Sequence, residues 1–527
     1  MNGRSESTLA NMDVPQGLDV RPSVFEDSGA LVLLFLFFYF MATVFLMPVL
    51  APWAAPVSFV VFFQLLAIGL AFDLADTSLA LLSPQPLDLP RLDTITNRPG
   101  VAVLMLVCDD LVQEAIERLC RIPVGDTAVY VLDDSRDSLT QDLVDAAGLR
   151  VVRRGTRAGN KAGNLNHWLK LFGPQHEYFI VLDSDSMLPD GFITAMLGYS
   201  EHPRNRRVAI FNSLTEAWNR HLPFPRLLSA ATPLSNWLRI RTSNRETTVL
   251  SVGHNNLHRT AAVIEVGGFD EEFVAEDVAI TLRLMRAGWL SKLVNLRSYD
   301  AEPGDIFSFA KRQIRWAKQT IQIQWAPRER LPFCVQVQMF RLAWMYLGTF
   351  LYPMWALLTA WGARSTLKDA HAILSALLAG SPGGIRGLTP FCVSLLLPLG
   401  LLLAKLPFLR AARVPLREFI PHVLLSWAIT FYLMFAVCRA QLNTILGSAV
   451  QFDVTRKRFR RVTMSSILLN YPGLWLFLLA VSVGLLGNPL ALFLAAPWWC
   501  VMVFSPVIIF VAHGPKKQLP IMEHSLP

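Results

Sequence analysis

The sequence predicts an α/β domain with an open, mostly parallel sheet, joined at both ends to a membrane α-helical bundle. Three observations lead to this fold class. The 527 residues are 53% hydrophobic and only 17% charged, which is typical of a membrane protein. Long apolar runs lie towards both ends of the chain. Between residues 91 and 325, short apolar runs instead alternate with amphipathic helical patterns, as they do in α/β domains.

Composition also limits the function. Lys and Arg outnumber Asp and Glu by 48 to 40, and such an excess suits cytoplasmic loops and polyanionic substrates. The basic runs lack the interleaved aromatic residues that stack on bases, so we expect no nucleic-acid partner. The six cysteines are dispersed, which indicates neither a disulfide framework nor a zinc site.

The N-terminal part is expected to contain a flexible segment, residues 1–28, followed by two transmembrane helices within 29–75. Two apolar runs, Ala30–Leu50 and Val57–Leu74, each approach the ~20 residues that a bilayer-spanning helix needs. A proline-rich stretch separates the two runs. No basic segment precedes the first run, so we predict an anchor that is retained.

The predicted α/β domain covers residues 91–325. Its expected strands are short apolar runs bounded by polar residues, namely Val101–Val107, Ala128–Leu132, Tyr178–Leu182 and Val208–Phe211. A helical pattern, Val112–Arg121, lies between the first two. Open parallel sheets bind ligands at the carboxyl ends of their strands, so functional residues are expected there.

The C-terminal part, residues 326–527, returns to the membrane pattern. It contains five apolar runs, at Met339–Trp361, Phe391–Leu406, Phe419–Cys438, Ile467–Leu486 and Leu490–Val511. All five are long enough to be considered as membrane helices.

Two carboxylates follow the third predicted strand, Tyr178–Leu182. These are Asp183 and Asp185, and side chains two positions apart on a strand share a face. Such a pair can hold one hard cation, Mg²⁺ or Mn²⁺, whose remaining positions suit phosphate oxygens. A solvated strand end is the alternative interpretation.

Two further groups of polar residues suit a nucleotide. Asp133 and Asp134 end the second predicted strand, where a carboxylate can hydrogen-bond a base or ribose. A glycine-containing run, residues 158–166, carries Lys161, whose ammonium group suits phosphate. A loop that leads into an Asn-capped helix is the alternative for this run.

Two groups further along the chain suit the chemical step. Glu276 and Asp277 precede a predicted helix, Val278–Arg286, whose positive end favours an ionised general base; an N-cap is the alternative role for Asp277. Arg315 suits a diphosphate and Trp316 offers a flat face for a sugar ring. A basic amphipathic helix on the membrane surface is the alternative for this segment.

These groups occur in an order and approximate spacing that resemble the processive family 2 glycosyltransferases, in particular bacterial cellulose synthase catalytic subunits and related β-glucan synthases. The motifs that carry the resemblance are Asp133-Asp134, Lys161-Ala162-Gly163-Asn164-Leu165-Asn166, Asp183-Ser184-Asp185, Glu276-Asp277 and Gln313-Ile314-Arg315-Trp316. A distant segment, Phe452–Lys457, resembles the FxVTxK gating loop of cellulose synthases, here placed at residues 450–460. The resemblance implies a cytosolic glycosyltransferase domain with the A-type nucleotide-sugar fold.

The resemblance also implies a role for each residue. Asp277 would deprotonate the acceptor hydroxyl beside Glu276, and Arg315 would stabilise the leaving diphosphate. Asp185 would bind the divalent ion, and Asp183 would bind both the ion and the nucleotide. The remaining substrate-binding residues would be Asp110, Asp133, Lys161, Gln313, Trp316, Phe452, Thr455 and Lys457. The implied reaction is a single displacement with inversion at C1 of an α-linked UDP-sugar.

Three departures from the family pattern bear on the substrate. The family's Pro-Thr-Tyr-Asn-Glu stands here as Leu106–Asp110 and keeps only an acid, Asp110, at its end. Ala275 replaces the usual Thr before Glu276. Gly-Thr-Asn is replaced by a sequence with His254 in the middle, which is similar to the periplasmic-glucan glucosyltransferases. The product is therefore not necessarily cellulose.

Topology limits the number of spans. UDP-sugars are cytosolic, so the catalytic domain and the gating loop must both face the cytosol, with an even number of spans between them. Three apolar runs lie there, so one of them cannot cross. We predict that 417–445 is an interfacial helix, by analogy with cellulose synthases, which leaves four transmembrane helices in the C-terminal part and six in all.

The expected protein is a multi-pass bacterial inner-membrane enzyme with a cytosolic catalytic domain. It would use UDP-glucose and Mg²⁺ or Mn²⁺ to extend a β-glucan acceptor processively and export it. Its expected partners are the UDP-sugar donor, the glucan acceptor, the lipid bilayer and periplasmic or accessory synthase subunits. The alternatives are an amino-sugar polymer synthase of the chitin or poly-N-acetylglucosamine type, a non-processive membrane glycosyltransferase, or an inactive partner subunit.

Overall fold

The structure is a computed structural model that describes most of the α/β domain and parts of the apolar regions. The described residues are 28–46, 56–83, 85–123, 125, 127–245, 248–329, 331–362, 372, 375–376, 378–381, 405–448, 462–470, 475, 478–479, 482–483 and 489–514.

Seven strands form one sheet in the α/β domain. They are β1 (Val101–Val107), β2 (Thr127–Asp133), β3 (Arg150–Arg153), β4 (Tyr178–Leu182), β5 (Val208–Ala217), β6 (Asn256–Arg259) and β7 (Leu290–Asp300). Their order across the sheet is β3-β2-β1-β4-β6-β5-β7. Only β6 runs antiparallel to its neighbours, so the predicted open, mostly parallel sheet is confirmed.

The predicted strands agree with the structure where their sequences are apolar. β1 and β4 have the predicted bounds, and β2 exceeds its prediction by one residue at each end. β5 continues six residues past Phe211, to Ala217. β3, β6 and β7 were not predicted, because β3 and β6 have only four residues each and β7 interrupts its apolar residues with Lys292, Asn295 and Arg297.

Helices cover both faces of the sheet. They are α3 (Gln113–Cys120), α4 (Ser138–Ala146), α5 (Asn160–Leu171), α6 (Phe192–Ser200), α7 (Pro223–Leu228), α8 (Thr232–Thr242), α9 (Thr260–Glu265), α10 (Glu276–Arg286) and α11 (Ile306–Gln322). Alternate residues of β1 enter opposite cores: Val103 packs beneath α3 and α6, whereas Leu104 packs with Trp168 of α5. This alternation follows from the two-residue period of a strand and fixes which faces the helices cover.

The carboxyl ends of β1, β2, β4, β5 and β7 meet at one edge of the sheet, and the chain between β4 and α6 begins there. The strand ends at Leu182, and the next four residues form a turn in which the Ser186 amide donates to the Asp183 carbonyl at 3.0 Å. The expectation that Asp183 and Asp185 extend from one face of a strand is therefore wrong. The turn separates them: the side chain of Asp183 is 34% exposed, whereas Asp185 is fully buried.

The apolar regions contain α1 (Ser28–Met41), which continues as a π-helical turn (Ala42–Leu46), α2 (Pro56–Leu81), α12 (Phe333–Gly362), α13 (Leu406–Ala411), α14 (Leu416–Ile445), α15 (Met464–Asn470) and α16 (Pro489–Ala512). Within the described residues, α14 alone is long and apolar enough to cross a bilayer, and half of its most apolar stretch is buried against protein. This helix coincides with the segment predicted to be interfacial. The six-span topology remains a prediction, and residues 382–404 and the gating loop lie outside the described residues.

Salt bridges join the α/β domain to the apolar regions and also join the two apolar regions to each other. Arg220 lies 2.9 Å from Glu418 of α14, and Lys405 lies 3.1 Å from Asp73 of α2. Arg341 of α12 forms a salt bridge with Asp76. α14 also packs against α7 and α11, so the helix that carries Arg315 and Trp316 is supported from the apolar side.

Candidate active site

A cavity of about 590 Å³ opens at the carboxyl edge of the sheet. It is lined by residues from β1, α5, β5, the end of β7, α8, α10, α11 and α12, together with residues that follow β2 and β4 and residues that precede β6. The sheet order places the ends of β1 and β2 on one side of β4 and the end of β5 on the other. This edge is where open α/β sheets bind their ligands.

Lys161 lies at the centre of the cavity. It belongs to the first turn of α5, which begins directly after Gly159 with φ of +66°, so it is helical and not part of a loop. Its Nζ donates to Asp183 Oδ1 at 2.7 Å and to the Gly253 carbonyl at 3.0 Å, and lies 3.4 Å from Glu276 Oε1.

The surroundings of Lys161 keep it charged. Burial by itself would lower the pKa of Lys161, but the carboxylates of Asp183 and Glu276 outweigh burial and raise that pKa well above its usual range. The ammonium group therefore stays positively charged beside the two carboxylates. A permanent cation is what a diphosphate site requires.

Asp277 is the titratable group best suited to accept a proton. It lies in the first turn of α10, its Oδ1 accepts from the Val278 amide at 2.8 Å, and Ala275 occupies the N-cap position. Burial and the neighbouring Glu276 raise the pKa of Asp277 to about 7, against the opposing effect of Lys161. A carboxyl with such a pKa is close to the optimum for a general base at neutral pH.

Gly253 leaves space for Asp277. It has φ of +83°, and a Cβ at this position would lie 2.8 Å from Asp277 Oδ2 and 3.0 Å from Asp277 Cβ. Glycine is therefore required both by the left-handed backbone and by the close approach of the carboxyl. The next residue, His254, lines the cavity as a consequence of this turn.

Three side chains in the described part of the chain could hold a metal ion together. One donor atom from each of Asp183, His254 and Asp300 lies within 4.8 Å of the other two. His254 Nε2 is 3.7 Å from Asp300 Oδ2, and Ser186 Oγ donates to Asp300 Oδ1 at 3.1 Å. Two carboxylates and an imidazole fit Mn²⁺ well and can also bind Mg²⁺.

The predicted metal ligands are only partly brought together. Asp183 belongs to the three-residue group, whereas the side chain of Asp185 is fully buried and its carbonyl accepts from Trp218 Nε1 at 2.9 Å. Sequence reasoning did not identify Asp300, which is the last residue of the unpredicted strand β7. A carboxylate at the end of a further strand was the available signal, but the polar residues of β7 concealed the strand.

The side of the cavity formed by β1 and β2 contains several charged residues. Asp110 lines it, and its Oδ1 accepts from the Cys108 amide at 2.9 Å. Asp134 also lines it and lies 2.6 Å from Arg154. Asp133 is instead buried and lies 2.7 Å from Arg153, so the predicted uridine contact of Asp133 remains a prediction and Asp134 is the acid at the cavity wall.

α11 contributes a cation and an aromatic ring. Its N-cap, Asp305, accepts from two backbone amides and fixes the start of the helix. Arg315 and Trp316 both line the cavity. Burial lowers the pKa of Arg315, while Asp183 and Glu276 oppose this effect, so the guanidinium remains charged next to the carboxylates.

Gln313 and Trp316 of the same helix differ in their surroundings. Gln313 accepts a hydrogen bond from the Tyr346 hydroxyl at 3.1 Å and thus faces α12. The Trp316 ring is 38% exposed, and the Arg312 guanidinium lies 4.8 Å from its centre. Phe452, Thr455 and Lys457 lie outside the described residues.

The family model and the curated relatives that match this chain agree on one family. The family model "Glycosyl transferase family group 2" matches residues 178–438. "Glucans biosynthesis glucosyltransferase H" of Caulobacter vibrioides is 26% identical over 327 residues, which cover 55% of this chain and 48% of that protein. "Cellulose synthase 1 catalytic subunit (UDP-forming)" of Komagataeibacter xylinus is 28% identical over 208 residues, which cover 38% and 27% respectively.

The chain thus spans about half or less of the length of these curated relatives. Among solved structures, the mannosyltransferase PcManGT from Pyrobaculum calidifontis in complex with GDP-Man and Mn²⁺ has a TM-score of 0.45 at 18% identity, with coverage of 73% of this chain and 98% of that one. From the family match and the curated relatives, the chain is a family 2 glycosyltransferase, distantly related to glucan glucosyltransferases and to bacterial cellulose synthase catalytic subunits.

Proposed function

We propose that this enzyme transfers glucose from UDP-glucose to a growing β-glucan with inversion and processively, and that it exports the product across the bacterial inner membrane. The names of the relatives support the sugar and the nucleotide, since one is a glucosyltransferase of glucan biosynthesis and another is a UDP-forming cellulose synthase. His254, which departs from the cellulose synthase pattern, favours a glucan other than cellulose.

The position and pKa of Asp277 carry the proposal. Asp277 lies at the start of α10 beside the cluster of Lys161, Asp183 and Glu276, and its pKa of about 7 suits proton removal. In the proposed step, an acceptor hydroxyl oxygen attacks C1 of the sugar while Asp277 takes the hydroxyl proton. The bond between C1 and the diphosphate oxygen breaks, and UDP leaves with the electron pair.

Lys161 and Arg315 stabilise the departing diphosphate. Both are cations that line the cavity, and both lie close enough to Asp183 for its charge to affect their pKa values. Preorganised cations aimed at a developing negative charge are a large source of rate acceleration. Asp183, His254 and Asp300 are proposed to hold Mg²⁺ or Mn²⁺, which would neutralise further charge on the diphosphate.

Processive growth and export rest on the family resemblance and on the apolar helices. Trp316 at the cavity wall offers a face on which an acceptor sugar ring could pack. α14 and α12 pack directly against α11, so the polymer would leave the cavity between these helices.

The test is to supply the purified full chain in detergent with UDP-glucose or UDP-N-acetylglucosamine, each with Mg²⁺ or Mn²⁺. We expect UDP release with UDP-glucose and a polymer that linkage-specific β-glucanases digest. Asp277→Asn should abolish both signals. Preference for UDP-N-acetylglucosamine would replace the glucan proposal with the amino-sugar one, and a wild-type chain that releases no UDP from either donor would refute both.

A further inference from the structure

Arg239 of α8 lines the active-site cavity, which three further arginines also line. Its side chain is partly buried, and among the described residues it has no hydrogen bond and no salt bridge. Burial lowers the pKa of Arg239, and no carboxylate in the described part of the chain opposes this effect. Arg315 differs, because Asp183 and Glu276 compensate its burial.

An uncompensated cation in such a position is costly. Removing part of a charge from water without a partner is unfavourable, although the solvent that still reaches Arg239 reduces the cost. Arg239 cannot avoid this cost by losing its proton, since a guanidinium stays charged in proteins. A partner supplied by a ligand would satisfy its donors.

A second side chain of the cavity also has an unsatisfied donor. Thr215 Oγ1 on β5 is buried and without a hydrogen-bond partner among the described residues, and Thr215 also lines the cavity. Asn236 of α8 donates to the Thr215 carbonyl at 3.1 Å. Because Asn236 and Arg239 are three residues apart, they share one face of α8, and this face is turned towards Thr215.

The sheet order places this pair on the acceptor side. β5 is separated from β4 by β6 and lies opposite β1 and β2, which carry Asp110 and Asp134 on the nucleotide side. At about 4.8 Å per strand, the end of β5 lies roughly 10 Å from the end of β4 and roughly 14 Å from β1. A group bound there would be beyond the sugar that is transferred.

The surroundings of α8 indicate where this group comes from. α8 packs against α2, and Trp237 contacts Phe408 of α13 with ring centres 5.4 Å apart. Both partners belong to the apolar regions of the chain. If these regions lie in the membrane, as the sequence predicts, the phosphate of a lipid-borne acceptor would be near Arg239.

We propose that Arg239 and Thr215 form a subsite for a phosphate group carried by the acceptor or primer. The guanidinium and the hydroxyl provide donors for phosphate oxygens, and charge-assisted hydrogen bonds of this kind are strong. The inference rests on the proposed function only in naming the acceptor. The phosphate comes either from a lipid headgroup or from a soluble phosphorylated saccharide.

Binding to the full chain in detergent tests the subsite without any donor sugar. The probes are dodecyl phosphate, glucose 6-phosphate and, as a neutral control, cellotetraose. We expect saturable binding of at least one phosphate probe, weakened about 10- to 100-fold in Arg239→Gln. Arg239→Lys should retain part of the affinity, because it keeps the charge.

Arg241→Gln is the matched control. Arg241 is on the same helix, its guanidinium lies 3.9 Å from the Trp237 ring, and it is not among the described residues that line the cavity. Its replacement should leave phosphate binding within about twofold, which separates the subsite from a general loss of an arginine from α8. Unchanged UDP affinity in Arg239→Gln would show that the variant is folded.

The result identifies the source and can overturn the inference. Preference for dodecyl phosphate supports a lipid headgroup, and preference for glucose 6-phosphate supports a soluble acceptor. Equal phosphate affinity in Arg239→Gln and the wild type, equal losses in Arg239→Gln and Arg241→Gln, or cellotetraose binding with the same dependence on Arg239 would overturn it. Failure of the proposed function would instead appear as a wild-type chain that binds phosphate but releases no UDP from UDP-glucose.

Discussion

The replacement Asp277→Asn tests the chemical step most directly. The amide keeps the shape of the side chain and its hydrogen bond from the Val278 amide, but it cannot accept the acceptor proton. A positioned general base contributes about 10²- to 10⁴-fold to the rate, so we expect the kcat of UDP release to fall by that factor. The KM for UDP-glucose should change little, because Lys161 and Arg315 remain.

The pH dependence follows from the raised pKa of Asp277. The base must be ionised, so kcat of the wild type should rise with pH through about 7, the pKa of Asp277. One unit below that pKa, roughly a tenth of the carboxyl is ionised and the rate should be near a tenth of its plateau. A coupled assay of UDP release between pH 5.5 and 8.5 measures this profile.

Stability should change with pH in the opposite sense to activity. The pKa of Asp277 is higher in the folded state than its ordinary 3.8, so the folded chain binds this proton more tightly than the unfolded chain. The resulting stabilisation is complete below pH 3.8 and is lost as pH rises through about 7. Asp277→Asn should therefore have a higher Tm than the wild type at pH 8 while it lacks activity.

Glu272→Gln is the control, since Glu272 is exposed and is not among the cavity-lining residues that the structure describes. It should keep the activity and the pH profile of the wild type. A flat profile between pH 6 and 8, or more than a tenth of wild-type kcat in Asp277→Asn, would refute the assignment of the base.

Four other predictions concern the packing around the base, the metal site, the role of Asp133 and the membrane topology. Gly253→Ala should lower kcat at least tenfold with little change in donor KM, because its Cβ would lie 2.8 Å from Asp277 Oδ2; an unchanged kcat contradicts the packing argument. EDTA should abolish UDP release, and His254→Ala should raise the Mn²⁺ concentration for half-maximal activity about 10- to 100-fold on re-addition, whereas an unaltered Mn²⁺ titration removes His254 from the site. Asp133→Asn should lower Tm and leave donor KM within about twofold, because Asp133 is buried against Arg153; a large KM change would restore its predicted contact with uridine. A reporter fused at residue 448 should be cytosolic, and a periplasmic signal there would contradict the six-span topology.

The apolar strands and the order of motifs could be predicted because their signals are local. Val101–Val107 and Tyr178–Leu182 are continuous apolar runs bounded by polar residues, and this composition at this length is typical of a strand buried on both faces. β7 escaped prediction because its residues pair with β5 at the edge of the sheet and include exposed polar side chains. Its pairing partner, 81 or more residues away in sequence, determines that it is a strand.

The sequence by itself determined the family, the mostly parallel sheet, and Lys161, Asp183, Asp277 and Arg315 as the groups of interest, since each lies in a short motif. The tertiary structure alone decided which of them meet. The turn after Leu182 buries Asp185 and turns Asp183 towards Lys161. The arrangement of the strands brings His254 and Asp300 close to Asp183. The distance between Asp183 and Asp300 depends on how strands that are far apart in sequence are arranged across the sheet, and no local pattern contains that information.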